Sequence, residues 1–289
     1  MICSDITLPE AVSKNFEAIA QGKTIEQLEQ QVLENHNCAY QALDSDEWLN
    51  FTLMLQQVWQ QNDHAIVRGK PDQEGNTAVL LGLALNSRFK PYRGNKVLKH
   101  FRMSPWTTEL SQTLKEGHFH TDLCTAQTPP KVTLIQCRVA DPSPGKGILR
   151  VARLEAILIE LKRIGADATL DFLLKEECEL VDERAHGSYQ GVMANHDTIR
   201  YHPETLRAAY RRKGMPLHEL ERHLATIHEV ALMTSTPIDL QSGDALLVSN
   251  TRALHYRSAC SVRYLEFPRK FEAREIYVLH LLDSPAWPI

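Results

Sequence analysis

Gly243-Asp244-Ala245-Leu246-Leu247-Val248-Ser249-Asn250-Thr251-Arg252-Ala253-Leu254-His255-Tyr256-Arg257 reads as strand, turn and returning strand. Ser242-Gly243-Asp244 makes a first turn, the apolar run Ala245 to Val248 a buried strand, and Asn250-Thr251-Arg252 a second turn. The returning strand, Ala253 to Arg257, carries His255 at its centre. A buried strand that doubles back in this way belongs to a β-rich core.

Some 135 positions earlier stands Gly117-His118-Phe119-His120-Thr121-Asp122. Residues i and i+2 of an extended segment point to one side, so His120 and Asp122 can reach a single ion while Thr121 faces away. With His255 they supply two imidazoles and one carboxylate. This ligand set holds iron(II) on one face and leaves the opposite face open for chemistry. The triplet alone is a weak signal in a chain of 13 histidines, because a lone histidine is more often packed or solvated than bound to metal.

The chain around these two stretches begins helical. Pro9 suits the first turn of a helix to Ala20, Thr24 can cap Ile25 to Glu34, and Ser45 or Asp46 can cap Glu47 to Gln61. The third of these carries Trp48, Leu49, Leu53, Leu55, Val58 and Trp59, enough apolar surface to dock on a sheet. After Asn62, short apolar runs predict strands at His64–Gly69, Lys96–Arg102, Lys131–Ala140, Gly147–Ala152, Cys178–Asp182, Thr198–Tyr201, Ile238–Ser249, Ala253–Arg257, Arg263–Phe267 and Arg274–Leu282. Helices are expected at Asn76–Ser87, Leu154–Arg163, Ala166–Lys175, Pro203–Arg211 and Leu217–Ala231. Eight or more strands with peripheral helices fit a double-sheet β barrel better than a doubly wound parallel sheet. The expected class is mainly β with helical additions, as one domain over 1–289, with 1–62 a helical N-terminal extension and 153–232 a partly helical insertion.

Composition narrows the function. Hydrophobic residues at 43% and charged residues at 24% are the values of a globular chain, which argues against disordered and fibrous classes. A net charge of −4, with Lys and Arg scattered, leaves no footprint for nucleic acid. Met1 to Glu10 carry no basic segment followed by an apolar run, and no stretch reaches the roughly 18 apolar residues of a membrane span, so a cytoplasmic location and a small-molecule partner are expected. The six cysteines, Cys3, Cys38, Cys124, Cys137, Cys178 and Cys260, stand far apart. Their spacing argues against a zinc ribbon or redox dithiol and predicts reduced thiols, several of them buried.

The segment Gly243 to Arg257 resembles the distal-histidine motif of the taurine dioxygenase and clavaminate synthase-like group of iron(II)/2-oxoglutarate-dependent oxygenases. His64-Ala-Ile-Val-Arg-Gly69, Phe119-His-Thr-Asp122 and Pro129-Pro-Lys-Val-Thr-Leu-Ile-Gln-Cys137 occur in the order that family uses. The resemblance covers about residues 60 to 285, specific at the two metal motifs and loose between them. It implies a double-stranded β-helix (jelly-roll) core, one iron(II) held by His120, Asp122 and His255, 2-oxoglutarate as cosubstrate, and O2. It further implies hydroxylation, desaturation or cyclisation of a small, amino-acid-like metabolite with release of succinate and CO2. An arginine near the last strand grips the far carboxylate of 2-oxoglutarate in this family. Arg269 and Arg274, 14 and 19 residues after His255, are both candidates, since a guanidinium stays charged and binds a carboxylate through two parallel hydrogen bonds.

One departure concerns the Thr or Ser that the family places after a Gly-rich turn to help hold that carboxylate. In Pro144-Gly145-Lys146-Gly147-Ile148-Leu149 the matching residue is Ile148. Asp122, where a family halogenase carries Gly or Ala, argues against halogenation. Two other classes compete: a cupin-like zinc or manganese enzyme using His118 and His120, and a non-catalytic jelly-roll binding protein that keeps a vestigial triplet. Arg150, Arg153, Arg200 and Arg257 are further candidates to meet an anionic substrate. His223 and His228, five apart on a helix, miss the spacing of a shared metal.

Overall fold

A computed structural model of the chain describes residues 4–34 and 45–283 except 73, 86–87, 93 and 185–186. Cys3, Cys38, Ser87 and Trp287 lie outside the described residues. In chain order the elements begin β1 (Asp5–Thr7), α1 (Glu10–Ala20), α2 (Ile25–Glu34), α3 (Asp46–Asn62), β2 (His64–Arg68), α4 (Asn76–Ala84), β3 (Lys99–Arg102) and β4 (Val132–Val139). They continue with β5 (Leu149–Arg153), α5 (Leu154–Arg163), α6 (Asp167–Leu174), β6 (Glu177–Asp182), β7 (Gly187–Val192), α7 (Pro203–Arg212) and α8 (Leu217–Thr234). The last are β8 (Thr236–Ile238), β9 (Ala245–Ser249), β10 (Ala253–Arg257), β11 (Val262–Glu266), β12 (Lys270–Ala273) and β13 (Glu275–Leu281).

Local chemistry sets the N-terminal helices. Gln27 Oε1 accepts the Thr24 N–H at 2.8 Å and Thr24 Oγ1 accepts the Gln27 N–H at 3.3 Å, a reciprocal cap that starts α2. Ser45 Oγ accepts the Trp48 N–H at 3.2 Å and starts α3. That helix stops at Asp63, left-handed at φ 56, whose carboxylate binds Arg153 and Arg252 at 3.0 and 2.8 Å. Aspartate is among the few residues that tolerate this conformation.

Two sheets face each other. The larger orders β1-β2-β9-β4-β13-β3 and the smaller β10-β5-β8. Side chains alternate across each strand, so β9 sends Leu246 and Val248 inward and Ala245 and Leu247 outward. On β13, Ile276 and Val278 point inward against Leu149 and Val151, while Leu279 and Leu281 point outward. The outward set is covered by Phe51, Leu55 and the largely apolar α4, whose Val79, Leu80 and Leu81 are fully buried. This double cover explains why β9 reads as an unbroken apolar run. Truncating Leu247 to Ala would cost about 2–5 kcal/mol.

A third core lies beyond the smaller sheet, where Leu254 and Tyr256 of β10 pack with Ile157, Phe172 and Leu224 of α5, α6 and α8. The helices are therefore more than additions: the architecture is mixed, with eight helices and thirteen strands among the described residues. The span expected as one strand from Ile238 to Ser249 is two, because the chain turns at Gly243 before β9. Gly243 has φ +98, and a Cβ there would lie 2.3 Å from the Lys70 carbonyl carbon. Only glycine fits. Thr198–Tyr201 holds a single bridge, Ala194 to Ile199, and not a strand. Among the described residues no helix is long and apolar enough to cross a membrane.

Candidate metal centre

His255 sits mid-strand on β10, opposite Val151 of β5. On its other side it meets His120: each backbone N–H donates to the other's carbonyl at 3.0 Å, and the ring centroids lie 4.3 Å apart. The chain then turns at Asp122, and Leu123 adopts a left-handed φ of 51. Such a conformation is strained for leucine and persists only where the surroundings impose it. Asn250, from the turn after β9, does so. Its Oδ1 accepts the Asp122 N–H at 2.7 Å, and its Nδ2 donates to the carbonyls of Asp122 and Pro130 at 2.9 and 3.0 Å.

The three side chains converge. Asp122 Oδ1 lies 3.5 Å from His120 Nε2, Asp122 Oδ2 lies 3.5 Å from His255 Nε2, and one donor atom from each residue falls within 4.8 Å of the others. Donors sharing one ion, each about 2 Å from it, have comparable spacing. His120 Nδ1 donates to the His118 carbonyl at 2.8 Å, so Nε2 keeps its lone pair directed at the site. Asp122 Oδ2 accepts from Thr133 Oγ1 at 2.8 Å and from His280 Nε2 at 3.1 Å, while Oδ1, 3.5 Å from His120 Nε2, is directed at the site. The His120 and Asp122 side chains each remain 24% exposed, so the site opens to solvent.

Burial opposes the negative charge on Asp122 more than any other single influence, yet His255, His120 and His280 outweigh it and hold the carboxyl well below its ordinary range. Burial, reinforced by His120, pushes His255 down to about 3. Burial lowers His120 too, but Asp122 outweighs it and raises His120 above its ordinary pKa. Metal binding requires the anionic carboxylate with both imidazoles neutral, so an ion competes with that proton.

His202, the residue before α7, forms the adjoining wall. Its Nδ1 accepts the Glu204 N–H at 3.2 Å, and its ring stands edge-on to His120 with centroids 5.0 Å apart. His118 turns away from the triad toward Glu204, at 3.3 Å, and Glu204 is also held by Arg207 at 2.6 Å. Cys124 is buried with its thiol pushed up to about 11 by desolvation; the four described cysteines are all free.

The two arginine candidates separate in space. Arg269 is exposed on the turn between β11 and β12. Arg274 precedes β13 on its inward face, is fully buried, and none of its three guanidinium nitrogens has a hydrogen-bond partner. Space for it is made by Gly147, at φ +65, where a Cβ would stand 2.9 Å from Arg274 Cδ and 3.1 Å from Nη1. The nearby Asp141 carboxylate is occupied by the Ser143 and Ser261 N–H groups and the Ser261 hydroxyl. The Ile148 N–H donates to Ser258 Oγ at 2.9 Å, which puts a hydroxyl beside the position where the Gly-rich turn lacks one. The other arginines serve the framework. Arg153 binds Asp63 and Glu155, Arg200 donates to the Ala126 and Gln127 carbonyls, Arg257 to those of Thr113 and Lys115, and Arg150 to Ser235.

No protein-family model matches the sequence, and no curated protein matches it. Solved structures do. An asparagine oxygenase in complex with Fe(II), 2S,3S-3-hydroxyasparagine and succinate superposes with a TM-score of 0.72 at 14% identity, over 97% of this chain and 94% of that one. The chain has the fold of a non-heme iron oxygenase. The non-heme iron oxygenase OrfP with Fe and alpha-ketoglutaric acid matches with a TM-score of 0.66 at 14% identity, over 96% of this chain and 94% of that one. OrfP with Fe, succinate and (3S)-hydroxy-L-Arg gives 0.64 at 14% identity, over 96% and 93%. The oxygenase fold thus spans nearly the whole chain, helices included.

Thr133, His202, Asn250 and His280 were not singled out by sequence. His280 carried a usable signal, since it falls on the same alternation as Arg274, Ile276 and Val278. In sequence Asn250 reads only as a turn residue.

Proposed function

We propose that this chain is an iron(II)- and 2-oxoglutarate-dependent oxygenase that hydroxylates a small, amino-acid-like metabolite. The observation that carries the reading is a pair of features at two ends of one inter-sheet interior. At one end an imidazole–carboxylate–imidazole triad faces solvent; at the other a buried arginine has no protein partner. A buried unpaired guanidinium is costly, and a ligand carboxylate offsets that cost. Gly147 lies four residues from Val151, which pairs with His255, so the two ends are at most about 13 Å apart along the chain. That distance suits a short dicarboxylate with its guanidinium partner.

In this reading His120, Asp122 and His255 hold the iron, and Arg274, not Arg269, binds the far carboxylate of 2-oxoglutarate. When bound, iron and cosubstrate supply the oxidation of a substrate C–H by O2, with 2-oxoglutarate leaving as succinate and CO2. Thr133 and His280 fix the orientation of Asp122, and His280 also helps to keep it ionised. Asn250 locks the turn that carries it, and the His118 carbonyl sets the tautomer of His120. The facing sheets support a jelly-roll core as a single domain, with α1 to α3 as an N-terminal cover and the α5-to-α8 region inserted between β5 and β8.

Anaerobic titration with iron(II) and 2-oxoglutarate tests the reading. A weak visible charge-transfer band, and succinate release once O2 is admitted, are expected. Absence of both in the wild-type protein rejects it.

A further inference from the structure

β3 is the edge strand of the large sheet, and its register on β13 sets Lys99 directly opposite Val278 and Phe101 opposite Ile276. Residues opposed across antiparallel strands share a face. Val278 and Ile276 point into the inter-sheet interior, and Phe101 packs against that core, so Lys99 points into it as well. One level along β13 stands His280, opposite Thr133 of β4, and both bond Asp122. Lys99 therefore flanks the triad from the sheet edge.

Among the described residues no carboxylate lies within ion-pair distance of Lys99, and its ammonium rests 5.3 Å from the Tyr92 ring centroid. Lys90, whose N–H donates to the His280 carbonyl at 2.8 Å, adds a second cation at the same edge. Burial lowers the Lys99 pKa, Asp122 raises it and Lys90 lowers it again. The nearby Asp122 is already committed to the histidines. A half-buried ammonium held by an aromatic face and by no carboxylate of its own, at the mouth of a site, calls for an anion.

We infer that Lys99 binds the carboxylate of the substrate, so that the substrate class is a free α-amino acid or another carboxylic acid, and not its amide or ester. This rests on the oxygenase reading and extends it to specificity. Lys99 is a substrate-positioning residue.

The test uses the full chain with iron(II) and 2-oxoglutarate under anaerobic conditions. The proteinogenic L-amino acids, L-asparagine and L-arginine first, are titrated beside their carboxamides. Binding is read from the visible band and by calorimetry, with circular dichroism as a check on folding. The wild type is expected to bind at least one acid about ten- to a hundredfold more tightly than its carboxamide. Lys99→Met erases that preference without weakening 2-oxoglutarate, and Lys99→Arg retains most of it. A preference that survives Lys99→Met overturns the inference, as does a band-forming wild type that prefers no acid over its amide. An equal loss of 2-oxoglutarate affinity in Lys99→Met assigns the lysine to the cosubstrate instead. A wild type that forms no band removes the oxygenase reading, and this inference with it.

Discussion

His120 and His255 exchange both backbone hydrogen bonds, each 3.0 Å, across one isolated antiparallel bridge. Residues far apart in sequence thereby acquire a fixed spacing from the main chain and not from their side chains. Opposed residues of such a pair point to the same side. The metal-facing rings are therefore placed by peptide groups, and changing a ligand side chain leaves the frame standing.

Asp122→Ala should abolish the charge-transfer band and succinate formation while the far-ultraviolet circular dichroism stays that of the wild type. Removing the acceptor of Thr133 and His280 costs about 1–3 kcal/mol of stability. Undiminished succinate release by this variant would eliminate Asp122 as a ligand.

Thr133→Val and His280→Phe keep the three proposed ligands but strip Asp122 Oδ2 of its donors. Iron(II) affinity, measured by competition with a chelator, is expected to fall about 10- to 100-fold for each. No change in either would mean that Asp122 is oriented without them.

Arg274→Met should raise the KM for 2-oxoglutarate by about two orders of magnitude, the loss of a charge-assisted pair. Arg269→Met, on an exposed turn, should leave it unchanged. Because Arg274 is buried without a partner, Arg274→Met should also leave the ligand-free Tm equal or higher. A reversed ranking of the two variants contradicts the assignment.

His64 gives a pH dependence away from the metal. Burial holds it below its ordinary pKa, partly offset by the Asn62 carbonyl 2.8 Å from Nδ1, and its Nε2 is buried without a partner. The folded chain thus resists a proton that the unfolded chain accepts near pH about 6.5. The stabilising difference is present in full above that value and is lost as pH falls toward the folded-state pKa. Urea midpoints at about pH 7 and about pH 5 should drop less for His64→Leu than for wild type; equal drops would refute it.

Most elements were legible because their signals are local. Thr24 and Ser45 cap the helices predicted after them, and the apolar periods of α5, α8, β4 and β10 fall where expected. β1, β7 and β12 escaped notice for a physical reason. They are short or solvent-facing, so partner strands and not apolar pattern make them strands: β7 alternates between half-buried and exposed positions, and among the described residues β12 pairs only with β11. The weight of helix was also underestimated, because the sequence of an amphipathic helix does not reveal that it closes a third core.

By itself the sequence determined the chemical inventory: two histidines and an aspartate in motifs that resemble an iron site, a buried β9, and a pair of arginines following His255. Choosing between those arginines needed tertiary structure, because exposure and partnership are properties of what packs nearby. A hairpin insertion carries Arg269 to the surface, while alternation on β13 turns Arg274 inward against the space left by Gly147. The same holds for Thr133, His280 and Asn250, which reach Asp122 only through strand register and a turn. Sequence records which groups a chain owns, and only packing decides which of them are left unpaired for a ligand.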